Sequence, residues 1–167
     1  VKILVLSPTR ELAQQIWEVV KPFASATNLK TCTIVGGVPI FKQFRDLRKG
    51  SDIIVGTPGR IEDHIAQKSI DLTSVNYAVL DEADQMLDIG FLPAIKRILS
   101  TTPKKRQTLL FSATMPIEIK NLVTKFMVEA VEVAVSVIAK PVEKINQKIL
   151  ILSSAQKIDA LKEIAQK

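Results

Sequence analysis

The fold class this sequence predicts is α/β, a parallel sheet with helices packed on it, and three observations carry that prediction. Short apolar runs alternate with longer amphipathic segments along the chain. The runs are continuous rather than alternating in polarity, the pattern of strands buried on both faces. Residues that local structure does not ask for gather where the runs end, and parallel sheets bind ligands beyond the C-terminal ends of their strands. Strand alternating with helix further implies right-handed crossovers.

The predicted strands are Ile3–Leu6, Thr31–Val35, Ile53–Val55, Ala78–Leu80, Thr108–Phe111, Val131–Val135 and Ile149–Leu152. The first runs into Ser7-Pro8, which predicts a helix capped by Ser7 with Pro8 in its first position. Arg10 then falls third, against the positive end of the helix dipole. Leu12, Ile16, Val19, Val20 and Phe23 recur at helical spacing and predict a stripe facing the core. The second strand ends at Gly36-Gly37, a pair that lets backbone approach a ligand closely and that serves a plain loop equally well. Phe41, Phe44 and Leu47 predict the helix that follows. After the third strand the earlier device returns: Thr57 caps, Pro58 is first and Arg60 is third. Two arginines set against two positive helix ends imply negative charge supplied from outside the chain.

The fourth strand delivers Asp81 and Glu82 at its end, with Asp84 on the incoming helix. Hard oxygen ligands there suit Mg2+, which keeps most of its waters and is commonly shared with nucleotide phosphates. Asp81 would hold the metal through water, and Glu82 would orient or deprotonate an attacking water. An acidic pair alone is more often an ordinary helix start. Leu92, Ile95, Ile98 and Leu99 predict a further core-facing helix. At the end of the fifth strand, Ser112 and Thr114 flank Ala113, so their hydroxyls share one side of an extended backbone, within reach of a carboxylate such as Asp84. Taken alone, that is an ordinary polar strand exit before a helix starting at Pro116.

The chain has 167 residues, a length suited to one domain or one domain with part of another. Apolar residues make up 47% and charged ones 24%, enough to bury a core. A net charge of +6 and a pI near 9.5 point to a polyanionic partner, and a solvated lysine-rich surface explains them as well. Cys32 is the only cysteine and reads as a buried thiol, which excludes a disulfide or a thiolate metal site. His64 is the only histidine, so no site needing two imidazoles is available. No apolar stretch approaches the roughly 18 residues of a membrane span and no signal peptide is visible, so no membrane partner is expected and the expected compartment is cytoplasmic, or nuclear in a eukaryote. After Val135 the polar, proline-containing stretch 136–147 predicts a linker. The strand and helix in 148–167 cannot bury a core alone and read as the opening of a second domain.

In chain order these residues spell PTREL, GG, TPGR, DEAD and SAT, and the series resembles the DEAD-box RNA helicases over essentially the whole chain. "VLDEADQMLDIGF" and "FSATMP" are especially close. The resemblance implies a RecA-like domain of the P-loop NTPase type, ATP with Mg2+ as cofactors, and single-stranded or duplex RNA as partner. It implies that Pro8, Thr9, Arg10, Glu11, Gly36, Gly37, Thr57, Pro58, Gly59 and Arg60 bind the RNA sugar-phosphate backbone. The charge opposite the two arginines is then phosphate. It also implies that Asp81, Glu82, Asp84, Ser112 and Thr114 form the catalytic set, with Asp81 and Glu82 at the nucleotide and Asp81 on Mg2+ through water.

Such a helicase carries a phosphate loop, G-x-x-x-x-G-K-[ST], and no glycine here is followed by lysine. The expectation is a first RecA-like domain incomplete at both ends, spanning 1–135 and followed by the linker and the start of the second domain. Alone it would be inactive and prone to self-associate. In that fold the strand bearing the phosphate loop lies between the strand ending at Phe111 and the one near Val131–Val135. Two alternatives stand beside this reading. One is a non-catalytic RNA-binding module. The other is a phospho-acceptor domain of the response-regulator type, which needs its acids after an early strand and a lysine beyond a later one; neither feature is present.

Overall fold

The computed structural model describes residues 1–134 and 149–165. They belong to two units, Val1–Glu132 and Val133–Lys167. The first unit contains β1 (Ile3–Leu6), β2 (Thr31–Ile34), β3 (Ile53–Gly56), β4 (Tyr77–Leu80) and β5 (Gln107–Leu110). Its helices are α1 (Arg10–Ala26), α2 (Ile40–Arg48), α3 (Pro58–Ala66), α4 (Ala83–Asp88), α5 (Leu92–Ser100) and α6 (Ile117–Phe126). The second unit holds a 3-10 turn at Ser154–Gln156 and α7 (Lys157–Ala165).

All strand pairings are parallel, in the order β2-β3-β1-β4-β5. The parallel α/β class is therefore the one the apolar runs predict. Alternate strand residues feed two cores. Leu4, Leu6, Ile34, Ile54 and Leu80 point to the larger one, with Ile61 of α3, Ile95 and Ile98 of α5, and Ile119 and Leu122 of α6. Val5 and Val55 point the other way, onto Ala13, Ile16 and Trp17 of α1. The residues of β3 are buried throughout, while β5 at the edge is only half-buried.

Four expectations are corrected. The α1 stripe is rotated by about one residue: Ala13 and Ala24 are buried, whereas Val19 and Phe23 are 64% and 71% exposed. Alanines on the inner face let the helix lie close to the sheet, which leaves the larger side chains outside. The cap of α1 is Thr9, not Ser7: Thr9 Oγ1 accepts from the Leu12 amide at 3.2 Å. Pro8 therefore precedes the helix and Arg10 is its first residue, not its third. Val131–Glu132 and Val133–Ala134 are not strand, and Val135 and the expected linker 136–147 lie outside the described residues. Ile149–Leu152 is likewise irregular. An apolar run becomes a strand only where a neighbour takes up its N–H and C=O groups. No described strand pairs with the outer side of β5, which is the edge of the described sheet.

Candidate functional site

Every residue singled out in the first unit's motifs lies on the loop beyond a strand or in the first turn of the helix that follows, and the strand order sorts them into two halves. The loops after β2, β3 and β1 are adjacent and carry Gly36-Gly37, Thr57–Arg60 and Pro8–Glu11. The loops after β4 and β5 are adjacent on the other side and carry Asp81–Asp84 and Ser112–Thr114. The halves meet between β1 and β4, where the Asp81 amide donates to the Leu6 carbonyl at 2.9 Å.

In the first half, α3 begins as the sequence predicts, with Thr57 before it, Pro58 first and Arg60 third. Thr57 makes no side-chain cap, and its amide instead donates to the Ile34 carbonyl, joining this turn to the end of β2. Both arginines also find partial partners within the chain. Arg60 Nη1 donates to the Val38 carbonyl at 2.7 Å, Nε lies 3.4 Å from Asp63, and the side chain is only 15% exposed. Arg10 lies 3.6 Å from Glu11 and is more open. It also borders Gly37, where φ is +72° and a Cβ would run into the Arg10 guanidinium. A guanidinium carries five N–H donors, so each fork retains capacity for an oxyanion.

In the second half, Glu82 caps α4 with left-handed backbone, φ 51° and ψ 55°. That conformation is costly for a residue with a Cβ and is found preferentially at functional sites. Neighbouring bonds hold it: the Glu82 amide donates to Asp81 Oδ1 at 3.1 Å, and the next amide, of Ala83, donates to the Phe111 carbonyl at 3.0 Å. Glu82 itself is exposed. The Asp84 amide donates to Ser112 Oγ at 3.1 Å, and the Thr114 amide and hydroxyl both donate to Asp84 Oδ2 at 2.8 Å. Burial pushes the Asp84 carboxyl up, but the Thr114 and Ser112 donors and the Gln85 amide outweigh it and hold it below the usual carboxylate range. Asp84 therefore spends its charge on donors of the protein, whereas the Glu82 side chain is exposed.

The described residues contain no group of three or more His, Cys, Asp or Glu side chains able to cage a metal. A single strand-end carboxylate fits Mg2+ only in the form that metal commonly takes beside a nucleotide, with water and phosphate completing the shell.

The family model for the DEAD/DEAH box helicase matches residues 1–122. The chain belongs to the DEAD/DEAH box helicase family. Among curated members of this helicase family it is 44% identical over 161 residues to the DEAD-box ATP-dependent RNA helicase CshA of Bacillus subtilis, an alignment covering 96% of this chain and 33% of that protein. It is 42% identical over 170 residues to DEAD-box ATP-dependent RNA helicase 52A of Oryza sativa subsp. japonica, covering 99% of this chain and 28% of the other. Among solved structures, a DEAD box protein from the hyperthermophile Methanococcus jannaschii superimposes with a TM-score of 0.74 at 39% identity, over 100% of this chain and 45% of its own. The chain thus spans about a third of the length of these curated DEAD-box relatives.

Two residues beside the glycine- and arginine-bearing loops escape motif reading. Gln43 and His64 are buried beneath the Gly36-Gly37 turn. The signal for Gln43 was present: Ile40, Gln43, Phe44 and Leu47 form the inward stripe of α2, and a polar residue in such a stripe needs a partner.

Proposed function

We propose that this chain supplies the RNA-backbone site and the acidic part of the nucleotide site of an ATP-dependent RNA helicase, coupling ATP hydrolysis to RNA binding and local duplex unwinding. The observation that carries the reading is the sorting of loops by strand order: the Gly- and Arg-bearing turns occupy three neighbouring strands, and the acidic and hydroxyl turns occupy the two beside them.

The first half is built for phosphate. The N-termini of α1 and α3 offer unpaired amides and positive dipole ends, Arg10 and Arg60 add charge, and Gly36-Gly37 admits the RNA strand close to backbone. Contacts of this kind fix register and carry little base information. The second half is built for hydrolysis. Mg2+, when bound, supplies charge stabilisation to the transferring phosphoryl group. Asp81 would hold that ion through water, and Glu82 would orient the attacking water and accept its proton. Asp84, fixed by Thr114 and Ser112, ties the end of β4 to the end of β5 rather than touching the nucleotide. The junction between β1 and β4 gives RNA binding and hydrolysis a common backbone.

The test is phosphate release by the full-length protein containing this chain. RNA should stimulate it, and Glu82→Gln should abolish it while ATP and RNA binding persist. RNA binding without any nucleotide turnover would establish a non-catalytic binding module instead.

A further inference from the structure

We propose that Gln43 and His64 are positioning residues for the RNA-phosphate turn at Gly36-Gly37, an inference that rests on the backbone-binding reading above. Both residues are buried: Gln43 is 5% exposed and His64 0%.

The hydrogen bonds form a chain with a defined direction. Gln43 Nε2 donates to the Val35 carbonyl at 2.8 Å, which turns its Oε1 toward His64 Nε2 at 3.0 Å. An amide oxygen only accepts, so Nε2 of the imidazole carries the proton. On a neutral ring Nδ1 must then accept, and the Ser69 hydroxyl, 2.7 Å from it, shares its single proton between Nδ1 and the His64 carbonyl at 3.0 Å. Burial, reinforced by Arg60 and opposed by Asp63, lowers the His64 pKa and keeps the ring neutral. Phe44 packs edge-on against the imidazole with centroids 5.0 Å apart. The chain therefore runs from Ser69 through His64 and Gln43 to the carbonyl just before Gly36. Every buried polar atom on it has a partner, the condition under which such networks rigidify a structure.

The other end of the turn is held from α3, the helix that carries His64. Arg60 stands one helical turn before His64 on α3 and donates to the Val38 carbonyl at 2.7 Å. Both carbonyls flanking Gly36-Gly37 are thus held by side chains, Val35 by Gln43 of α2, itself bonded to His64, and Val38 by Arg60 of α3. Among the described residues, neither the Gly36 nor the Gly37 amide donates to a protein acceptor. With the carbonyls turned in and Gly37 left-handed, two consecutive free N–H groups sit between Arg10 and Arg60. Such a pair of amides is an anion-binding concavity. Gln43 and His64 set its shape and lock it to the TPGR helix, so two of the three phosphate loops move as one body.

The experiment compares Gln43→Met with the parent in the full-length helicase containing this chain, measuring affinity for single-stranded RNA against salt, affinity for ATP, and thermal midpoint. Gln43→Met keeps the side-chain volume and deletes both hydrogen bonds. The expected result is a loss of RNA affinity of about tenfold, the scale of one or two neutral hydrogen bonds. The salt slope should be unchanged, because Arg10 and Arg60 still meet phosphate, and ATP affinity should be within about twofold of the parent. Should Gln43→Met fail to fold, Gln43→Asn, whose shorter amide cannot span Val35 and His64 together, is read by the same criteria. RNA affinity equal to the parent's overturns the proposal, as does a parallel fall in RNA and ATP affinity that tracks the thermal midpoint. The reference is Arg10→Ala combined with Arg60→Ala. If that pair leaves RNA binding intact, the backbone reading itself fails; if it weakens binding while Gln43→Met does not, only the positioning role fails.

Discussion

Thr114 gives both its amide and its hydroxyl to one oxygen of Asp84, thirty residues earlier in the chain, at 2.8 Å each. This pair joins the loop after β5 to the helix after β4, and it shows how the DEAD and SAT segments become one unit. Breaking it leaves untouched the bonds that hold Glu82, which run to Asp81 and, through Ala83, to Phe111.

Ser112→Ala combined with Thr114→Ala should therefore uncouple the two outputs of the full-length protein. ATP hydrolysis should fall little, and duplex unwinding should fall steeply, because only the backbone amide of residue 114 then ties Asp84 to the loop after β5. Assaying phosphate release and strand separation on the same preparation decides it. Proportional loss of both activities would contradict the uncoupling.

The same pair makes a pH prediction. The Asp84 carboxyl is held below its ordinary value in the folded protein, so its contribution to stability is present above the unfolded value, near 4, and is lost as pH falls through the lower folded value. Thr114→Ala should cost about 1 kcal/mol at neutral pH, since the bonds are partly open to water. That difference should shrink below about pH 4. Denaturant midpoints of parent and variant across pH 3 to 7 provide the check.

Glu82, the base in the function proposed above, has left-handed backbone, and substitution separates the two properties. Glu82→Gly should be more stable than Glu82→Ala by about 1 kcal/mol, because glycine alone adopts this conformation without strain. Both should lose hydrolysis. Equal stability of the two variants would show that the backbone there carries no strain.

Arg10 and Arg60 should differ in kind as well as share a loss. Replacing either with alanine should lower the magnitude of the log-affinity slope against log salt by roughly 0.7 on single-stranded RNA, similarly for all base sequences. Arg60→Ala should also lower the thermal midpoint, because it releases the Val38 carbonyl, whereas the more open Arg10 should not. An unchanged slope with sequence-selective loss would contradict phosphate contact.

Cys32 is buried, and burial, with Asp46 nearby, pushes its thiol up to about 11. At pH 8 the native protein should resist alkylation over hours, and denaturant should make it react at the rate of a free cysteine. Rapid labelling of the native protein would show that β2 opens readily.

The amino-acid order alone determined the sheet class, the five observed strands to within a residue or two at each end, and the motifs that mark the site. Those properties are local: an apolar run, a proline before a helix and an acidic pair at a strand end each express their physics within a few neighbours. What needed the folded chain was everything set by adjacency. Val131–Glu132 and Ile149–Leu152 are apolar enough for strands, yet strand formation is a property of pairs, and no described neighbour pairs with them. Val19 and Phe23 satisfy a helical period, but the face that meets the sheet was chosen by how closely Ala13 and Ala24 let α1 approach. Ser7 is a good cap by composition, and Thr9 took the position because β1 extends its hydrogen bonding through the Ser7 amide to Gly56. Gln43 and His64 sit 21 residues apart, and only the packing of α2 against α3 made them partners beneath Gly36. Periodicity and punctuation decide what each segment becomes, but which polar groups meet depends on strand order, and strand order is settled by long-range packing that no local stretch encodes.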